Sequence, residues 1–89
     1  MEIKKDSDRY FRSSSFPLAV FLFARGEQIA GINHTDNPNK KEFAFVHTDR
    51  LNELCEIYKF GKDEDVELLV PIRLVEQARR QLLDRLNDA

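Results

Sequence analysis

From Phe16 to Ala24 the chain reads FPLAVFLFA, an unbroken apolar run with Ser13-Ser14-Ser15 before it and Arg25-Gly26 after it. No other stretch restricts the fold as tightly. A segment with no polar side must be covered on all sides, so it belongs at the centre of whatever forms. Its Val and Phe content suits a strand, and an apolar run without alternation gives no period to decide the matter. The flanking residues decide it. Ser15 is a good N-cap, Pro17 is tolerated in a first turn, and Gly26 suits the position after a last turn that holds Arg25. The segment is therefore expected to be a central helix over 16–25. It falls well short of the roughly 20 residues needed to cross a bilayer.

Eighty-nine residues leave room for one domain with a thin core. Residues 1–9 are mostly charged or polar and read as a flexible tail, leaving 10–89 as a single small domain. A formal net charge of −2 and a pI near 5.6 weigh against nucleic-acid binders, which usually carry a basic excess. The lone cysteine, Cys55, cannot form an intrachain disulfide and fits a reducing compartment. The polar start MEIKKD does not resemble a signal peptide. These features point to a soluble, cytoplasmic protein.

Two short segments, EQIAGINH and KKEFAFVH, flank a loop containing Asp36, Asn37 and Pro38, and read as a β-hairpin. Centring the loop sets His34 opposite Lys41, Ile32 opposite Phe43 and Ala30 opposite Phe45. Ala30, Ile32, Phe43 and Phe45 then share a bulky face, expected to meet the helices. Ile29, Gly31, Ala44 and Val46 share a flatter one. Thr48 or Asp49 can cap a second helix in which Leu51, Leu54, Cys55 and Tyr58 recur at helical spacing, with Gly61 as its stop. VELLV, residues 66–70, reads as an extended segment and a candidate third strand. Pro71 opens a last helix with Val75, Ala78, Leu82 and Leu86 in a stripe and Ile72 at its head. The fold class expected is α+β, in the order helix-strand-strand-helix-helix.

Certain short motifs resemble a small bacterial domain family of unknown function. The similarity runs through Tyr10-Phe11-Arg12-Ser13, the cap Ser15, Leu18-Ala19 and Phe21-Leu22 up to Gly26, and then Phe45-Val46 leading into Asp49. It covers most of residues 10–86. His47 departs from the family's second Phe, and LLVP replaces a more polar entry to the last helix. The resemblance implies a capped apolar helix, a hairpin and two further helices in a bacterial protein. It brings no reaction and no catalytic residues.

Several residue groups could carry function. Phe43-Ala44-Phe45-Val46 behind Lys41 nearly spells the aromatic strand on which RNA-recognition domains stack bases. The segment between Phe23 and Phe43 holds only one strand and a loop, with no crossover helix, and Glu42 stands where that motif needs glycine. Core phenylalanines are the better reading. The segment RYFRSSS, with Lys4, Lys5, Arg9, Tyr10 and Arg12, could track a phosphate backbone, extended by Lys40 and Lys41 and by Arg73, Arg79 and Arg80. The alternative is a solvated tail whose aromatic residues fold back onto the core.

His34, His47 and Cys55 lack the spacing of a metal site, and in the hairpin register the histidines lie near opposite ends. Cys55, on an apolar stripe, reads as packing rather than as a nucleophile, with a Cys/His pair to His47, eight residues earlier, as the alternative. Asp63, Glu64, Asp65 and Glu67 read as a solvated turn. No glycine-rich phosphate loop is present. A non-catalytic binding or adaptor module results, without cofactor or metal. Its leading mode is contact with a protein partner or self-association, through Gly31 and Ala44 on the flat sheet face and Leu74 and Leu83 on the last helix. Nucleic-acid binding is the alternative, and no membrane is involved.

Overall fold

A computed structural model describes residues 9–37 and 39–88. Among the described residues the chain is α+β, with a three-stranded antiparallel sheet and three α-helices. The elements are β1 (Tyr10–Ser13), α1 (Phe16–Ala24), β2 (Ile29–His34), β3 (Lys41–Val46), α2 (Asp49–Phe60), a 3-10 turn (Val66–Leu68) and α3 (Ile72–Asp88).

The apolar run forms the central helix its flanks call for. The Ser15 hydroxyl accepts the Leu18 N–H at 3.3 Å, and Pro17 lies in the first turn. At the other end Gly26 adopts φ +93°, a left-handed conformation that costs a residue with a Cβ far more than glycine. Its N–H reaches the Phe23 carbonyl, and the Glu27 N–H reaches that of Leu22, both at 3.0 Å. That pair of bonds is a Schellman stop. Leu18 through Leu22 are all buried, and α1 packs against both α2 and α3.

β3 is the middle strand, with β1 and β2 antiparallel on either side. The hairpin register is as the sequence predicts at His34–Lys41 and Ile32–Phe43. It then shifts, pairing Gly31 with Ala44 and Ile29 with Phe45. The bulge leaves Ala30 unpaired, exposes it, and turns Ile29 into the core. Ile29 and Ala30 therefore exchange the roles expected of them. The reason is energetic: isoleucine has far more apolar surface to bury than alanine.

The third strand is Tyr10–Ser13, and the segment 66–70 is not one. Phe11 pairs with Phe45 and Ser13 with Phe43, so residues 10–13 occupy the free side of β3. VELLV instead begins as a 3-10 turn. An Asp65 carboxylate oxygen accepts the Glu67 N–H at 2.9 Å, and Arg25 donates to the Val66 and Glu67 carbonyls at 2.9 and 2.8 Å. Those contacts hold the backbone in place and take up carbonyls that a strand would need.

The sheet's inner face carries Phe11, Ile29, Ile32, Phe43 and Phe45 against the helices, and Phe16 and Phe43 have ring centroids 6.0 Å apart. Phe43 is 2% exposed and Phe45 fully buried. Neither ring is available to stack on a base. α2 starts at the Thr48 cap, whose hydroxyl accepts the Leu51 N–H at 2.9 Å. It buries Leu51, Leu54 and Cys55. α3 buries Ala78 and Leu82, with Val75 and Leu86 half-buried beside them. Ile72, expected at the head of this stripe, is exposed instead, as the first residue of the helix. No helix among the described residues is long and apolar enough to cross a membrane.

Candidate functional site

Among the described residues the three helices pack on one side of the sheet, and the residues of the other side are partly exposed apart from the buried Ala44. Strand alternation places Tyr10 and Arg12 of β1, Glu42, Ala44 and Val46 of β3, and Gly31 and Asn33 of β2 on that side. Over the central strand lies a shallow trough of about 200 Å³. Ala44 and Gly31 form its floor, Tyr10 and Arg12 one wall, and Asn33 the other. The Arg12 guanidinium sits 5.9 Å from the Tyr10 ring centroid, and its Nε is 3.7 Å from a Glu42 carboxylate oxygen. A Cβ added at Gly31 would meet no atom within 4 Å, so internal packing does not require the glycine. The flatness of the floor is a surface property.

Gly31 and Ala44 are thus brought together, as the sequence reading requires. Leu74 and Leu83 are not. Nine positions at ~100° each set them on opposite flanks of α3. Leu74 stands beside Phe23 and Ala24, whereas Leu83 stands beside Phe16 and Phe43. They cannot form one apolar margin.

The basic candidates are divided too. Lys4 and Lys5 lie outside the described residues. Arg9 is exposed, and its carbonyl accepts the His47 N–H at 2.8 Å. Tyr10 and Arg12 lie on the open face. Lys41 lies at the other end of β3, roughly 16 Å from the strand position opposite Tyr10 at ~3.3 Å per residue. It also points to the helical side, where its ammonium donates to the Leu86 carbonyl at 3.3 Å. Lys40 precedes it at the end of the hairpin loop. Arg79 and Arg80 share their surface of α3 with Glu76 and Asp84. Among the described residues no continuous basic track joins Tyr10 and Arg12 to the hairpin lysines.

Several other polar groups have structural partners. Sequence reasoning misses a clasp built on Glu27, a carboxylate only 9% exposed. Thr48 donates its hydroxyl to Glu27 at 3.0 Å, and Arg50 approaches the other carboxylate oxygen at 3.8 Å. Arg50 and Arg25 both reach Glu67, at 3.4 and 3.5 Å. The clasp joins the end of α1, the start of α2 and the 3-10 turn. Its partners are 17 to 42 positions apart in the chain, so no local pattern announces it.

His34 lies beside Lys41 at one end of the hairpin, and His47 follows the other end, 2.9 Å from the Asn52 amide oxygen. Among the described residues no three His, Cys, Asp or Glu side chains converge as a metal site. Burial pushes the Cys55 thiol up from its ordinary value of 9.0; the Lys59 charge opposes this, while Glu27 and Glu56 add to it. Such a thiol is poorly suited to nucleophilic work. Comparison with known proteins finds no matching family model, curated protein or solved structure.

Proposed function

We propose that the chain is a non-catalytic binding module that engages another protein through the open face of its sheet. One observation carries this reading: a flat floor of Gly31 and Ala44, not required by packing at Gly31, lies beside a Tyr10–Arg12 pair. Small floor residues let a partner's backbone or an apolar side chain come close. Tyrosine and arginine are among the residue types enriched at the hot spots of protein interfaces. The nucleic-acid alternative has less support, because the described basic residues fall on different faces and Arg12 already faces Glu42.

A photo-crosslinking residue at position 31, with one at the exposed Glu56 of α2 as control, tests the reading in cells. Position 31 is expected to yield a discrete adduct with a different protein, resistant to nuclease, and position 56 is not. Gly31→Arg should abolish the partner's binding while changing stability by no more than about 0.5 kcal/mol, as at other open surface sites. Adducts that nuclease removes, or equal labelling from both positions, would count against a protein partner on this face.

A further inference from the structure

A second surface, independent of the sheet's open face, carries an inference of its own. A groove of about 390 Å³ runs between the start of α1, the end of the hairpin and the last turns of α3. Phe16, Phe43, Leu83 and Leu86 make it apolar, and Lys40 and Lys41 stand at its lip. Leu83 is 41% exposed there, a large apolar side chain left partly uncovered on an otherwise polar helix flank. Apolar surface beside the exposed Lys40 ammonium suits a ligand that pairs aliphatic side chains with carboxylates.

The same chain presents such a segment elsewhere. Asp63 and Glu64 are exposed and lead into the 3-10 turn, in which Val66 is 74% exposed, and Leu69 just past it is 60% exposed. The Leu69 N–H closes the turn on the Val66 carbonyl at 3.2 Å, so the two apolar side chains stand close together as one ridge. The ridge is already rigid, because Arg25 and the Asp65 cap fix its backbone. Rigidity before docking lowers the entropy lost on binding. Groove and ridge cannot meet within one molecule. They lie near opposite ends of α3, a helix that spans roughly 25 Å at ~1.5 Å per residue.

We propose that the groove beside Lys40 receives the Asp63–Leu69 ridge of a second copy of this chain. Two copies set antiparallel along α3 fill both grooves at once, and the contact closes as a dimer.

Sedimentation velocity on the full chain, from about 5 to about 500 µM to cover the weak range of small interfaces, tests this directly. The wild type is expected to pass from monomer to dimer, with weaker association at high salt. Lys40→Glu and Glu64→Lys alter exposed side chains and should leave the fold intact. Each alone sets like charges together in both contacts and should weaken the dimer at least about tenfold, equivalent to ~1.4 kcal/mol. Mixing the two variants should restore association, because the mixed dimer has one native contact and one with its charges exchanged. A wild type that stays monomeric overturns the proposal. So does a dimer that neither substitution weakens, or a mixture that fails to recover. None of these outcomes affects crosslinking at position 31, so the two proposals stand or fall separately.

Discussion

Phe45→Ala is expected to destabilise the domain by about 3–5 kcal/mol, the range for truncating a fully buried phenylalanine. The ring is completely covered, on the middle strand, with Phe11 opposite it on one neighbour and Ile29 on the other. Its removal therefore opens a cavity under all three strands. A domain of this length has a total stability of roughly 4–13 kcal/mol at ~0.05–0.15 kcal/mol per residue. One substitution thus removes a large part of it, and adding Phe43→Ala should leave the chain unfolded at 25 °C. Urea denaturation followed by far-UV circular dichroism measures both. A stable, cooperatively folded double variant would mean that the rings are not core.

Leu22→Ala should cost about 2–5 kcal/mol, the usual range for a leucine in a closed interior. Leu22 is fully buried on the helix that touches both of the others. Its carbonyl also takes the Glu27 N–H that closes α1, so cavity and helix stop are adjacent. Leu74→Ala is the matched control. At 44% exposure it buries far less surface and should cost under about 1 kcal/mol at ~25 cal/mol per Å². Equal losses for the two leucines in thermal or urea unfolding would contradict the central position of α1.

Much of this architecture was legible because its signals are local. Ser15, Pro17 and Gly26 mark the ends of α1 within its own sequence, and the structure uses all three. Thr48 and Gly61 do the same for α2. Alternation places Phe43 and Phe45 on one face without further information. What was not legible depends on distant partners. β1 has only four residues and finds its place through β3, whose paired positions are 30 to 36 residues away. VELLV has the composition of a strand, but Arg25 and Asp65 bind its backbone as a 3-10 turn. The bulge at Ala30 appears only when the pull of Ile29 toward the core is weighed against a regular ladder.

The candidate site was half visible for the same reason. Gly31 and Ala44 share a face by period alone, so the flat floor follows from the hairpin. Its Tyr10–Arg12 wall does not, because that wall exists only once β1 has joined the sheet. Leu74 and Leu83 looked equivalent as apolar residues outside the main stripe. Their spacing already places them on opposite flanks, and only the positions of α1 and the hairpin give that difference consequence.

Helices seal one face of the sheet and, among the described residues, leave the other without helical cover. Hydroxyl-radical footprinting of the native chain reads ring exposure directly, with mass spectrometry assigning oxidation to each aromatic residue. Phe60, 75% exposed, should oxidise fastest. Tyr58, 37% exposed, and the half-buried Tyr10 should follow, and Phe43 and Phe45 should stay protected until the protein unfolds. Oxidation of Phe43 and Phe45 at the rate of Tyr10 in the folded protein would contradict the account.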